Sequence, residues 1–219
     1  MGYLYRSAQT ISIRRGCVLI SLEYKFIFVA NSKTASTSVE SVLAKYADIK
    51  EKVDPRKKHQ TCSQILNNYK EMLDAAGGAD DFFKFGIMRK PIDWLYSWYR
   101  YRSGNEGIEA AIDEELSFEE FFYRGDWNIW LDRENKVPRL QSRHFISEID
   151  GDLLVDKILK FENLNHELNA TLAHLNLPIE EKLPVKNKSR IEKRLDLSPE
   201  FEMQLKRHFS KDIEIYEAL

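Results

Sequence analysis

A lysine followed by a run of hydroxyl-bearing residues is the part of this chain best suited to chemistry. It lies just after the apolar segment 25–30 and reads Lys33-Thr34-Ala35-Ser36-Thr37-Ser38. Backbone N–H groups at a helix start, hydroxyl groups and one ammonium form a binding site for an anion such as phosphate. The glycines of the Walker A sequence G-x-x-x-x-G-K-[ST] are missing, so the segment is not that motif. Taken alone, it fits an ordinary strand–loop–helix connection with a capping serine at least as well.

A second apolar segment further along the chain also ends in a cation. Residues 82–88 lead to Arg89, Pro91 fits the first turn of a new helix, and Ser97 follows about two helical turns after the arginine. Such an arginine and serine can bind one phosphate together, because guanidinium donors grip two oxygens at once. Each residue alone fits a surface ion pair or a packing role equally well. Two such sites in one chain predict a ligand with two separated phosphate groups.

The two segments together resemble the sulfotransferases that use 3′-phosphoadenosine 5′-phosphosulfate (PAPS), and most closely their carbohydrate-type, bacterial-like members. In that family the first loop often reads P-K-T-[AG]-[GS]-T-S and the second R-x-P-x-x-x-x-x-S. The matching residues here are Lys33, Thr34, Thr37, Ser38, Arg89, Pro91 and Ser97. Ser32 replaces the usual proline, and Ala35-Ser36 replace a pair that usually contains glycine, which narrows the room for a phosphate to approach the backbone.

The resemblance implies transfer of a sulfuryl group from PAPS to an acceptor hydroxyl, with a glycan as the expected acceptor and no metal. The first loop would bind the 5′-phosphosulfate and the second the 3′-phosphate, so both would hold the product adenosine 3′,5′-bisphosphate. Lys33 would stabilise the charge that builds on the leaving phosphate. The basic loop with Lys188 and Ser189 takes the place of the family's cofactor-covering loop, and a solvated connector explains it equally well.

Removal of the acceptor's proton needs a base, and the chain has five histidines. His59 lies between the two phosphate segments, directly after the basic run 56–58. Related enzymes place a histidine or glutamate in this region, and Lys58-His59 resembles a pair found in bacterial members. We therefore predict that His59 is the general base, with a carboxylate among residues 109–120 as the alternative. His144 is a further histidine that can line the cleft, and the other three lie in predicted helices.

Two other classes of function stay open from the residues alone. A P-loop kinase would share the fold, but phosphoryl transfer needs the missing glycines and a Mg²⁺-binding hydroxyl after the lysine. A non-catalytic module with a nucleotide site would bind the cofactor tightly without turnover. Metal-dependent binding of ATP would favour the kinase.

The apolar pattern predicts strands that alternate with helices. Strands are expected at 17–22, 25–30 and 82–88, and helices at 36–46, 61–75, 92–102, 117–123 and 163–175, with a final helix opening at Ser198-Pro199. Residues 48–58 are predicted as a polar loop, and Asp150-Gly151 as the centre of a hairpin whose far side is 153–161. This alternation indicates an α/β protein with a mostly parallel sheet flanked by helices and ligand sites at the carboxyl ends of strands. The resemblance implies the same P-loop-NTPase-like three-layer fold.

The composition suits a single domain over residues 1–219. The chain is 43% hydrophobic and 12% aromatic, enough to enclose a cofactor cleft. A net charge of −2 gives no reason to expect binding to nucleic acid or a membrane surface. The two cysteines form no metal-binding pattern and suit a reducing compartment. No segment reads as a signal peptide or membrane span, so we expect a cytoplasmic protein, either bacterial or trimmed from an anchored eukaryotic relative.

Overall fold

Five strands form a mixed sheet at the centre of the molecule. The computed structural model describes residues 17–52, 59–103, 116–124, 130–132, 134–135, 137–179, 183 and 196–219. The strands in these ranges are β1 (Cys17–Ser21), β2 (Phe26–Val29), β3 (Ile49–Lys52), β4 (Phe83–Met88), β5 (Trp130–Asp132), β6 (Val137–Pro138) and β7 (Lys157–Lys160). The central sheet has the order β3-β1-β2-β4-β7, and β5 and β6 pair separately.

Helices cover both faces of this sheet. They are α1 (Ser36–Leu43), α2 (Cys62–Asn68), α3 (Lys70–Ala75), α4 (Pro91–Ser103), α5 (Phe118–Arg124), α6 (Leu164–His174), α7 (Pro199–His208) and α8 (Ser210–Ala218). The side chains of β2 alternate between two cores, with Phe26 and Phe28 packed on the side of α1 and α6 and Ile27 and Val29 on the side of α2 and α3. Because β2 is buried on both faces, it reads as a continuous apolar run in the sequence.

The strand directions bring the important loops to one edge. β2 pairs parallel with β4, and β4 pairs parallel with β7, whereas β1 pairs antiparallel with β2 and with β3. The carboxyl ends of β2, β4 and β7 therefore lie at the same edge of the sheet. This arrangement confirms the predicted α/β fold with a mostly parallel sheet flanked by helices.

Two predictions about the sheet are wrong. Residues 49–52 of the predicted polar loop form β3, which lies at the edge of the sheet. Charged residues are typical of edge strands, and they make this segment look like a polar loop in the sequence. The Asp150-Gly151 turn exists, with Gly151 at φ 80°, but only one bridge, Ile146 to Leu153, forms beside it. The far side of the predicted hairpin, β7, instead pairs with β4 in the central sheet.

The helix boundaries follow their predicted capping residues. The Ser117 and Glu120 side chains form the predicted capping box, and Ser198 caps α7 with Pro199 in its first turn. Two predicted helices are each divided in two: 61–75 breaks at Tyr69 into α2 and α3, and the final helix breaks at Phe209 into α7 and α8. The asparagines at the end of α2 favour such a break, because they compete for backbone hydrogen bonds.

Candidate active site

The connection from β2 to α1, which we call the Lys33 loop (residues 30–35), has an unusual backbone. Lys33 and Ala35 have φ values of 60° and 58°, in the left-handed region that residues with a β-carbon seldom adopt. Ala35 is the N-cap of α1, and its carbonyl accepts hydrogen bonds from the N–H groups of Ser38 and Val39. The chain thus turns sharply into the helix.

Neighbouring residues hold the Lys33 loop in place. The Thr34 hydroxyl donates to the Asn31 carbonyl at 3.0 Å, and the Trp94 indole N–H, from α4, donates to the Ser32 carbonyl at 2.8 Å. The side chains of Thr34, Ser36 and Ser38 are buried, and that of Thr37 is half-buried. The Thr34 hydroxyl therefore stabilises the loop itself.

The Lys33 ammonium lies against aromatic rings rather than against a carboxylate. Its Nζ is 4.0 Å from the ring centroid of Tyr101 and 5.5 Å from that of Trp98. Within the described ranges no carboxylate forms an ion pair with it. Burial and, to a smaller extent, the charge of Arg89 lower the pKa of Lys33 to about 8. An anion placed here would favour the ammonium form and relieve its repulsion with Arg89.

Arg89 is the cation of the second site, directly after β4. Its guanidinium carbon lies 4.5 Å from the ring centroid of Phe161, which follows β7. Its Nε is buried and finds no hydrogen-bond partner in the part of the chain that the structure describes. Burial lowers the pKa of Arg89, the carboxylates of Asp93 and Glu162 oppose that shift, and the charge of Arg100 adds to it. The guanidinium is thus desolvated without a full counter-charge.

Helix α4 carries Ser97, the predicted partner of Arg89, and a second arginine. Ser97 is half-buried on α4, and Arg100 follows it by three residues, which places both on one face of the helix. The Arg100 Nε is also buried and has no hydrogen-bond partner among the described residues. Arg100 was not among the residues predicted from the sequence, although its spacing from Ser97 was the available signal. Two guanidinium groups with unsatisfied donors can bind one phosphate dianion.

His59 lies at the same edge of the sheet. Its Nδ1 is 3.0 Å from the carbonyl oxygen of Ala30, the residue that follows β2. A carbonyl can only accept, so Nδ1 carries the proton and, in the neutral ring, Nε2 carries the lone pair. His144 is buried close by; burial and the neighbouring charges of His59 and Arg139 lower its pKa to about 3, which keeps it neutral. The structure thus brings Lys33, Arg89 and His59 to adjacent strand ends.

Comparison with known proteins gives one match. The model of a family described as "Sulfotransferase family" matches residues 18–217. The chain belongs to the sulfotransferase family. No curated protein and no solved structure gives a significant match.

The match has direct consequences for the fold and the activity. It spans both cationic sites, His59 and the central sheet from Val18 of β1 onward. Membership confirms the resemblance read from the two loops, and the P-loop-like fold is that of the family. The sulfotransferase is therefore a transferase whose family moves sulfuryl groups.

Several residues predicted for the sulfotransferase site lie outside the described residues. These are Lys188 and Ser189 of the covering loop and residues 109–115 of the alternative base region. Of the remaining carboxylates in that region, Glu120 accepts hydrogen bonds from Ser117 at the start of α5, which lower the pKa of that carboxyl. Glu120 therefore serves as a helix cap.

The described residues contain neither a candidate metal site nor a candidate membrane span. No group of three or more His, Cys, Asp or Glu side chains there could hold a metal ion. No helix among them is both long and apolar enough to cross a bilayer.

Proposed function

We propose that this sulfotransferase moves the sulfuryl group of PAPS to a hydroxyl group of a carbohydrate, with adenosine 3′,5′-bisphosphate as the second product. The observation that carries the proposal is the pair of half-buried cations at neighbouring strand ends. Lys33 and Arg89 are close enough for the charge of Arg89 to contribute to the lowered pKa of Lys33, and neither forms an ion pair with a carboxylate among the described residues. A ligand with two phosphate groups satisfies both.

The roles of the residues follow from their positions. The Lys33 loop and the start of α1 would bind the 5′-phosphosulfate, and Arg89, Ser97 and Arg100 would bind the 3′-phosphate. Lys188 and Ser189 would close over the nucleotide from the C-terminal half of the chain.

The transfer step itself needs one nucleophile and one leaving group. The acceptor oxygen attacks sulfur in line, and the bond from sulfur to the bridging oxygen breaks, leaving its electron pair on the 5′-phosphate. The Nε2 of His59 takes the proton of the acceptor hydroxyl, and the Lys33 ammonium stabilises the charge on the departing oxygen.

A carbohydrate acceptor is supported by the first-loop sequence and by the aromatic rings next to Lys33. The Tyr101 ring is 40% exposed and lies beside the ammonium, at the proposed point of transfer. An aromatic ring with a polar hydroxyl suits a sugar, which has both apolar faces and hydroxyl groups. The buried free thiol of Cys62 is compatible with the further proposal of a reducing, cytoplasmic compartment.

Replacement of Arg89 by alanine tests whether PAPS is the sulfuryl donor. We expect the wild type to bind adenosine 3′,5′-bisphosphate more tightly than adenosine 5′-monophosphate, without a metal. The Arg89→Ala variant should lose about 1.5–3 kcal/mol of bisphosphate binding, the usual range for hydrogen bonds to a charged group, and little monophosphate binding. Isothermal titration calorimetry measures both.

The control for this substitution is Arg207→Ala, which removes an exposed arginine of α7. Equal affinity of the wild type for the two nucleotides would refute the proposal that Arg89, Ser97 and Arg100 recognise the 3′-phosphate. Tight bisphosphate binding without sulfuryl transfer to any glycan would identify a non-catalytic nucleotide-binding protein.

The lowered pKa of Lys33 predicts an alkaline limit to activity. Only the ammonium can stabilise the leaving phosphate, so kcat/KM for the donor should fall as the pH rises through about 8. Bound phosphosulfate favours the ammonium, so kcat should fall at a higher pH than kcat/KM. Initial rates across the alkaline range measure both profiles.

The Lys33→Arg variant is the control for the alkaline limit. A guanidinium stays charged throughout this range, so its remaining activity should show no fall near pH 8. A fall that persists at the same pH in this variant would show that a different group titrates.

A further inference from the structure

The side chain of Gln141 joins the two strand ends that carry the cations. It is fully buried. Its Oε1 accepts hydrogen bonds from the Asn31 side-chain amide and from the backbone N–H of Arg89, both at 3.1 Å, and its Nε2 donates to the Arg89 carbonyl at 2.9 Å. Asn31 begins the turn to Lys33, and its amide also donates to the Ile87 carbonyl of β4 at 3.3 Å. One glutamine thus connects both anion sites.

Gln141 is itself fixed by a third element. Its backbone N–H and that of Ser142 donate to the two carboxylate oxygens of Asp212, each at 2.8 Å. Asp212 lies in α8 and is fully buried. A buried carboxylate with two charge-assisted hydrogen bonds holds the backbone at Gln141 rigidly. The connection between the strand ends is therefore tied to the C-terminal helix.

We propose that Gln141 is a positioning residue that sets the distance between the 5′-phosphosulfate site and the 3′-phosphate site. This inference rests on the proposed donor. The two phosphate groups of a nucleotide are joined through one ribose, so a ligand that binds both needs the sites at a fixed separation. A ligand that binds only one of the two sites does not depend on the distance between them.

The Gln141→Met variant tests this role. Methionine keeps the length of the side chain but makes none of the three hydrogen bonds. Calorimetry would compare adenosine 3′,5′-bisphosphate, adenosine 5′-monophosphate and adenosine 3′-monophosphate. We expect bisphosphate affinity to fall roughly tenfold or more, the effect of about one hydrogen bond, whereas each monophosphate loses less than about threefold.

The matched control is Leu172→Ala, which truncates a fully buried leucine of α6 and should lower stability without changing the ratio of the three affinities. If the Gln141→Met protein does not fold, Asn31→Ala cuts the same connection on the β2 side and should give the same pattern. Equal losses for all three ligands, or an unchanged preference for the bisphosphate, would overturn the proposal. A wild type without that preference would instead refute the proposed donor.

Discussion

Replacement of His59 by alanine is expected to lower the turnover number by roughly two to four orders of magnitude, the usual contribution of a positioned base. The hydrogen bond from Nδ1 to the Ala30 carbonyl fixes the ring and leaves the lone pair on Nε2. Removal of the ring takes away the proton acceptor but leaves the Lys33 loop and the Arg89 site in place. Binding of the bisphosphate should therefore stay within about twofold of the wild type. Single-turnover assays with a saturating donor measure the chemical step.

Two comparisons separate loss of a base from loss of structure. His166→Ala removes an exposed histidine of α6 and should leave turnover unchanged. Added imidazole should restore part of the activity of His59→Ala, because it can accept the same proton. Near-normal turnover in His59→Ala, together with loss of activity on substitution of an acidic residue among 109–120, would identify a carboxylate as the base.

Replacement of Lys33 by alanine is expected to lower turnover by about two to three orders of magnitude, the range found when one group that stabilises a developing charge is removed. The charge on the leaving phosphate is larger in the transition state than in the bound donor. Turnover should therefore fall far more than the affinity for the bisphosphate product. The measurements are kcat and the calorimetric dissociation constant of the same variant.

The control for Lys33 is Lys70→Ala, which removes an exposed lysine that pairs with Asp74 on α3. Unchanged turnover with a raised KM in Lys33→Ala would show that the ammonium only holds the donor.

The parts of the fold that the sequence predicted well are those with local signals. β2 and β4 are apolar runs bounded by clear helix starts, and the predicted ends of both lie within one residue of the observed ends. β3 was missed because its pattern, Ile-Lys-Glu-Lys, is that of an exposed edge. The predicted partner of β7 was wrong because an Asp-Gly turn is a strong local signal for a hairpin. The observed pairing of β7 with β4 joins segments that are distant in the sequence.

In the candidate site too, the residues with a local sequence signal were predicted and those that depend on distant contacts were not. Lys33 and Arg89 were predicted because they follow apolar strands, and parallel strands gather such residues at one edge. His59 was predicted from its position between the two phosphate segments and from the family resemblance. Gln141 carries no motif; its importance depends on contacts with Asn31 and Arg89, which only the folded chain brings together. Arg100 was hidden among several basic and aromatic residues of α4. The roles assigned to Lys188 and Ser189 stay predictions.

The parallel pairing of β2 with β4 also has a consequence for how the chain folds. The two strands are far apart in sequence, and such pairings form slowly because a long loop must close before any contact is gained. Closing the sheet brings the Lys33 and Arg89 charges together while both lose water. Without an anion, closing the sheet therefore works against charge repulsion. An anion that bridges the two cations would stabilise only the closed sheet, so the proposed nucleotide would act on this chain as a folding ligand as well as a reactant.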